Sequence, residues 1–403
     1  MKILLISQWC YPEPDARIFK MAQILKSMGH KIQILTGFPN YPGGKIYNGY
    51  KLSFFKRQWI GGIPINRVWL FPSHDRSFIK RSFNYVSFAF TASLIGPFVI
   101  KRINIIYIYH PPATAAIPAI LLKTLFHCKL IYDIQDLWPD SIIATGMVDK
   151  KCLLPMLNWF QNLIYRKADT ITVISEGIRN TLIERRVPPD KIVVIWNWSI
   201  PIEKDDAASN KIDFGNKFTI LFAGNHGQAQ GLKTVLDAAK LLLFRRITDI
   251  QFVLLGSGSM KEELMGYAQK NNLQNVIFMD RISSDKVRLF LDAADVLLIH
   301  LINKPLFKIT IPSKTQSYLM VGKPILAGVD GDTKKIIQDA DAGLVFKPEN
   351  VEDLVTRIME FKNLPSERLK TMGINGKAFY ESNMDIMVGV RKFLNIFENI
   401  VSK

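Results

Sequence analysis

FTILFAGNHGQAQGLKTVLDAAKLLLFRRITDIQFVLLG, residues 218–256, decides the fold. A strand-like run (FTILFAG, 218–224) enters a turn holding three glycines. A helical stretch follows near 232–246, and a second apolar run, IQFVLLG (250–256), ends in another glycine turn. That is the pattern of one parallel strand–helix–strand unit. It continues with a helix near 260–270, NVIFM (275–279), a helix opened by Ser283, Ser284 and Asp285, and DVLLIH (295–300). A helix starting at Pro312-Ser313-Lys314, the strand PILAG (324–328) and helices near 332–340, 350–362 and 387–401 complete it.

The N-terminal half alternates in the same way. KILLIS (2–7) and KIQILT (31–36) flank a helix in which Ile18, Met21, Ala22, Leu25 and Met28 recur every three or four residues. Gly29 stops that helix. Further strands are expected at 103–109, 129–134, 170–174 and 191–195, with helices at about 113–126, 155–167 and 176–186. Residues 37–75, rich in Gly, Pro and aromatics (FPNYPGG, IGGIP), read as long loops. PIEKDDAASNKIDFGNK (201–217) is polar and aperiodic, and reads as a linker. The expected architecture is α/β, with one Rossmann-like domain over 1–200 and a second over 218–386. The helix near 387–403 is able to pack back on the first.

Composition narrows the function classes. With 403 residues, 48% of them apolar, the chain can build two cores. Three separated cysteines make neither a disulfide framework nor a zinc pattern, and suit a reducing compartment. No signal peptide is expected, since Lys2 leads straight into a short strand. Of the net charge of +17, residues 1–130 hold +14, from 17 basic and three acidic residues. Such a field attracts anionic head groups, pyrophosphates or nucleic acid, but no nucleic-acid reader motif accompanies it. Residues 82–100, SFNYVSFAFTASLIGPFVI, have no side chain charged at neutral pH and lie between Lys80-Arg81 and Lys101-Arg102. Asn84, Ser87 and Thr91 form one helical stripe, Phe83, Val86, Phe90 and Leu94 the opposite one, and Pro97 is expected to interrupt the run. A helix in a membrane interface fits better than one that crosses; a core helix of the first domain is the other reading.

In open parallel sheets, ligands bind beyond the carboxyl ends of the strands. The first turn of the second half, AGNHGQAQGL (223–232), offers Gly224, Asn225, Gln230 and Gly231, and its backbone N–H groups can approach a phosphate. LGSGS (255–259) adds Gly256 and Gly258. In IPSKTQSYLMVGKPILA (311–327), Pro312, Ser313, Lys314 and Thr315 open a helix suited to a diphosphate. No GxxxxGK[ST], first-turn GxGxxG or HExxH occurs, which disfavours a P-loop NTPase, a conventional NAD enzyme and a metalloprotease.

These motifs together resemble family 4 of the retaining glycosyltransferases, over nearly the whole chain. The resemblance rests on SQWCYPEPDARIFKMAQILKSMGHKIQILT (7–36), IYDIQDLWPDSI (131–142), ITVISEGIRNTL (171–182), KIVVIWNW (191–198) and the two donor-side segments above. It implies the GT-B fold, two Rossmann-like domains facing each other across a cleft. Within the family the chain looks closest to WbuB-type N-acetyl-L-fucosamine transferases of bacterial O-antigen and capsule synthesis. Departures are specific. Asn225 and Gln230 stand where many members carry Arg and Lys, Ile309 and Ser317 where they carry paired glutamates, and Asp15-Ala16, followed by Arg17, where they carry Gly-Gly.

The resemblance implies a UDP-sugar as co-substrate, no cofactor and no required metal. Charge on the leaving diphosphate would be met by Lys314, Arg281 and Lys308, with Ser313, Thr315, Ser317 and Glu176 also on the donor side. Asp136 and His110 are candidates to orient or deprotonate the acceptor. Asp15, Arg17, Gly43, Gly44 and Lys45 are candidates to bind it. The expected acceptor is a polyprenyl-pyrophosphate-linked saccharide, reached from the cytoplasmic face of a bacterial plasma membrane through its anionic surface; nucleic acid is not expected. A nucleotide-sugar 2-epimerase and a non-catalytic membrane scaffold of the same fold are the rival readings.

Overall fold

The computed structural model describes residues 1–14, 17–74, 78–141, 154–199 and 212–402. They form two contact units, one of residues up to Trp196 together with those from Ile386 onward, the other Asn197–Asp385. Most of the expected linker (200–211) and Asp15, the expected acceptor residue, lie outside the described residues.

The first unit contains β1 (Lys2–Ile6), α1 (Arg17–Ser27), β2 (Lys31–Gly37), β3 (Phe55–Ile60), β4 (Ile63–Val68), α2 (Phe78–Val99) and β5 (Ile105–His110). Next come α3 (Ala116–Phe126), β6 (Lys129–Ile134), α4 (Leu154–Lys167), β7 (Thr170–Val173), α5 (Glu176–Glu184) and β8 (Ile192–Val194). The sheet order is β3-β4-β2-β1-β5-β6-β7-β8. All pairs are parallel except β3 with β4. Helices cover both faces, which is why β1 and β5 are apolar without alternation.

The hairpin β3–β4 corrects the expectation of loops over 37–75. Gly61 and Gly62 join its strands with φ of +57° and +68°, the conformation a two-residue hairpin turn demands. The pairing runs from Ile60 opposite Ile63 to Phe55 opposite Val68. Pro97 is a second correction, since α2 runs on to Val99. Its missing N–H leaves the Ser93 carbonyl without its helical donor, and the helix ends within one turn of it.

The second unit contains β9 (Phe218–Asn225), α6 (Lys233–Phe244), β10 (Ile250–Ser257), α7 (Lys261–Lys270), β11 (Val276–Met279), α8 (Ser284–Ala293) and β12 (Val296–His300). It continues with α9 (Pro305–Lys308), α10 (Ser313–Val321), β13 (Ile325–Gly328), α11 (Asp332–Asp339), β14 (Gly343–Phe346), α12 (Val351–Asn363) and α13 (Ser366–Asn383). Its six strands are all parallel in the order β11-β10-β9-β12-β13-β14. Phe222, Phe252, Phe346 and Phe361 fill its core. The last helix, α14 (Ile386–Val401), belongs to the first unit, where Phe393 meets the Tyr107 ring edge-on at 5.3 Å.

The α2 helix is built with its polar stripe inward. Asn84 (1% exposed) accepts from Gln8 Nε2 at 2.5 Å and donates to the Phe71 carbonyl at 2.6 Å. Ser87 Oγ accepts from the Phe71 N–H at 2.9 Å, and Thr91 donates to the Trp69 carbonyl. The opposite stripe faces out, with Phe83 57% and Phe90 66% exposed. Length and composition alone would let Ile79–Val99 cross a membrane, but the inward hydrogen bonds make it a helix of this unit.

Substitutions on α2 should therefore invert the usual hydropathy rule. Asn84→Leu orphans its buried partners and should cost about 2–3 kcal/mol. Phe90→Ser should shift stability by no more than about 0.5 kcal/mol. Urea unfolding of the two variants checks the order; a larger loss in Phe90→Ser would contradict it.

Candidate functional site

In the second unit the donor-side candidates converge at the carboxyl ends of β9 and β10. Gly224 lies opposite Gly256 and Asn225 opposite Ser257. A Cβ on Gly256 would stand 1.9 Å from the Gly224 carbonyl oxygen, so β10 can come this close to β9 only with glycine at 256. The turns beyond are laced together: the His226 N–H donates to the Ser257 carbonyl and the Met260 N–H to the His226 carbonyl, both at 2.9 Å. Gly258 packs on Asn225 and His226.

Lys314 enters this site from the first turn of α10. Pro312 precedes that helix in an extended conformation, and no side chain caps it. Tyr318, one turn on, accepts from the Ala223 N–H at 3.0 Å, which pins α10 to the end of β9. The Lys314 ammonium then lies 4.5 Å from the Phe222 ring centroid. A Cβ on Gly224 would sit 2.8 Å from its Nζ. Among the described residues it meets no carboxylate, and burial lowers its pKa to about 8. Thr315 Oγ1, next along, is buried with no hydrogen-bond partner. Positive charge, uncapped N–H groups and an unsatisfied hydroxyl make a receptacle for an anion such as a diphosphate.

The other donor-side candidates divide. Gln230 spends its side chain on the turn, accepting from the Gly227 N–H at 3.1 Å. Its carbonyl, beside Gly231, accepts from His300 Nδ1 at 2.7 Å, while His300 Nε2 accepts from the Glu349 N–H. Lys308 is paired with Asp330 at 3.0 Å, so its charge is already matched. Ser317 bonds to the Ser313 carbonyl and the Ser199 hydroxyl rather than standing free. Arg281 is exposed just beyond β11. Glu176 lies in the first unit, in the opening turn of α5, and pairs with Arg179 at 3.6 Å.

Two residues of this site were not singled out from the sequence. Lys261 Nζ reaches the carbonyls of Gly256 and Met279 at 3.0 and 3.1 Å and the Asp280 carboxylate at 2.6 Å. His226 is buried between the Phe222 and Phe278 rings. Burial, with the charges of Lys261 and Lys314, lowers its pKa to about 4 and keeps it neutral. The signal for Lys261 was its place at the first turn after LGSGS; nothing local marked His226.

In the first unit, Asp136 follows β6, and burial raises its pKa to about 6 against the opposing charge of Arg17. Arg17 lies over the Tyr109 ring and reaches Gln135, which donates to the buried Asp133 at 2.6 Å. A carboxyl near neutrality beside a guanidinium is fit to exchange a proton with a hydroxyl. His110 is less suited to that role. It is fully buried against Tyr132 and Trp138, neither ring nitrogen has a partner among the described residues, and burial drops its pKa to about 3.

Gly43, Gly44 and Lys45 lie on a surface turn held by Glu13. That buried carboxylate accepts from the N–H groups of Cys10, Asn40 and Tyr41, each at 2.8 Å, and burial raises its pKa to about 7. The clamp brings Tyr41 against Trp9 at 4.9 Å, and Tyr85 of α2 lies 6.1 Å from Trp9 and 6.3 Å from Trp138. These aromatics, also not singled out from the sequence, give the unit a half-buried aromatic wall, its rings tilted or edge-on to one another, of the kind that packs on sugar rings. Among the described residues no group of His, Cys, Asp and Glu is placed to hold a metal ion.

The unpaired burial of Lys314 has a measurable sign. Between about pH 8 and the ordinary 10.5, the folded amine is neutral while the unfolded one keeps its proton, so stability rises across that window. Below pH 8 both forms are charged and the desolvation cost is complete. Lys314→Met should thus stabilise the fold by about 1–3 kcal/mol at pH 7. The gain should fade towards pH 10.5. Urea unfolding at several pH values checks this; destabilisation at pH 7 would mean that the charge is satisfied.

Comparison with known proteins bears on family and fold. Residues 204–379 match the model of the group 1 glycosyl transferases, and residues 14–198 match that of the glycosyl transferase 4-like domain. The putative colanic acid biosynthesis glycosyl transferase WcaI of Escherichia coli K12 is 26% identical over 398 residues, covering 93% of this chain and 94% of WcaI. Among solved structures, sucrose-phosphate synthase from Thermosynechococcus elongatus superposes with a TM-score of 0.71 at 14% identity, over 100% of this chain and 99% of that one. Anabaena HepE in complex with UDP-glucose gives 0.68 at 13% identity, over 99% and 100% of the two chains. With one unit matching each of the two domain models, the chain is a glycosyltransferase of family 4 with the GT-B fold.

Proposed function

We propose that this enzyme moves N-acetyl-L-fucosamine, or a related hexosamine, from its UDP derivative to a polyprenyl-pyrophosphate-linked saccharide in O-antigen or capsule synthesis. The observation that carries the reading is Lys314, a buried ammonium that meets no carboxylate among the described residues, set against Gly224 and beside an uncapped helix start. UDP leaves with growing charge on its β-phosphate. A preorganised cation gains most when that charge forms. The first N–H groups of α10, which no side chain caps, add to it, and the reading requires no metal. The UDP-glucose complex of HepE and the colanic acid assignment of WcaI are in line with this donor and this kind of polysaccharide.

Attack from the face that UDP leaves gives retention, with a phosphate oxygen taking the acceptor proton. In the first unit Asp136 orients the acceptor hydroxyl, and the Trp9–Tyr41–Tyr85 wall packs on the saccharide. In this reading the basic excess of residues 1–130 draws the enzyme to the anionic cytoplasmic face of a bacterial plasma membrane, where the acceptor resides.

Incubating the purified enzyme with a panel of UDP-sugars and a lipid-linked GlcNAc should give one labelled product whose new bond keeps the donor's anomeric configuration. Lys314→Ala should fold normally and lose on the order of 10²–10³ in rate. Undiminished transfer by that variant, or conversion of donor to its 2-epimer without transfer, would overturn the reading.

A further inference from the structure

The first unit carries a broad outward apolar face to which neither its own core nor the proposed chemistry assigns a role. On α2 the row from Ile79 to Phe98 is exposed, with Phe98 at 80%. On α3, Ile117, Leu121 and Leu125 repeat every fourth residue and are exposed, and on α4 so are Met156 and Trp159. The three helices are neighbours. Leu122 of α3 lies within 3.4 Å of where a Cβ on Gly96 of α2 would stand, and the Asp169 carboxylate just after α4 meets Lys123 of α3 at 2.6 Å. A monomeric soluble protein rarely shows so much contiguous apolar surface without a partner.

Charge identifies the partner. Across α2, α3 and α4 there are five basic residues, Lys80, Arg81, Lys123, Arg166 and Lys167, and no acidic one. Lys101 and Arg102, both exposed, follow α2 directly. Phe, Leu and Trp at the centre with an excess of Lys and Arg around them, of which Lys123 is matched by the Asp169 carboxylate, is the composition of a surface that lies in a lipid interface. A second copy of the same face would set like charges against each other. The inward hydrogen bonds of Asn84, Ser87 and Thr91 keep α2 on its unit, so only the outer side chains enter, to roughly the 5–10 Å that such helices reach.

We infer that the α2–α3–α4 face is the docking surface of the enzyme on an anionic phospholipid bilayer, with the Phe row inserted among the acyl chains. The inference rests on the lipid-linked acceptor proposed above and gives it a route. Tyr85, in the aromatic wall, lies on the inner side of the same helix whose Phe83 and Val86 face outward. An acceptor head would therefore reach the wall within the width of one helix from the lipid.

The test is sedimentation with vesicles of phosphatidylglycerol and phosphatidylethanolamine, compared with neutral phosphatidylcholine vesicles. Wild type should bind the anionic vesicles at low salt and be released by high salt. Phe83→Ser/Phe90→Ser/Phe98→Ser, all at exposed positions, should weaken binding on the order of a hundredfold. Lys101→Glu/Arg102→Glu should weaken it by about fivefold or more per residue. Brominated lipid should quench Trp159, seen as quenching lost in Trp159→Phe. Transfer to a water-soluble acceptor analogue should persist in all these variants, so a failed surface and a failed chemistry give different results. The inference is overturned if wild type binds no vesicle, if the Phe variant binds as well as wild type, or if wild type is a dimer in solution that the Phe variant splits.

Discussion

A lysine ammonium taken out of water with no carboxylate beside it is unstable unless something is due to pair with it. Lys314 is held in that condition by several independent features. Tyr318 ties α10 to the end of β9, Phe222 presents its ring face to the charge, and Gly224 leaves the side chain room to pass. Lys314 itself sits in the first turn of α10, beside the end of β9, where the opening N–H groups of a helix have no intrahelical partner. The fold thus makes an electropositive hollow before any ligand arrives, and a diphosphate is the group that relieves its cost.

Much of this was legible in the residues. Strands such as β9 and β10 are apolar throughout because helices cover both faces, and the glycines that end them mark where backbones touch. Lys314 could be singled out because Pro312 and Ser313 announce a helix start beside it. Lys308 misled, because its partner Asp330 is 22 positions away and no local pattern couples them. Lys261 and His226 gain their meaning only when the turns after β9 and β10 are laced together. The aromatic wall likewise joins residues from four separate segments. The β3–β4 hairpin was hidden by its own Gly-Gly turn, which reads as loop without the strands around it. The α13 helix was hidden by glycines such as Gly373, where a Cβ would stand 2.2 Å from the Gly322 carbonyl oxygen of the neighbouring helix.

The α2 helix shows how a pattern can be seen while its direction stays open. Its two stripes were plain, but hydropathy would send the phenylalanines inward. The structure does the reverse, because Gln8 and the carbonyls of Trp69 and Phe71 need the hydrogen bonds that Asn84 and Thr91 supply. An unsatisfied buried amide or carbonyl outweighs one more exposed ring. The outward ring row then becomes available for a lipid surface, and Tyr85 on the inner side for the acceptor. One helix serves both because its polar groups were used for folding.

The central claim is that Lys314 is an unpaired buried cation reserved for the donor's diphosphate. It is tested most directly by following the Lys314 side-chain amine by NMR through a pH titration, in the free enzyme and with saturating UDP. The account predicts a free-state pKa near 8, moved above about 10 when the diphosphate pairs with it. An ordinary lysine value in the free enzyme, or a value that UDP leaves unmoved, would contradict it.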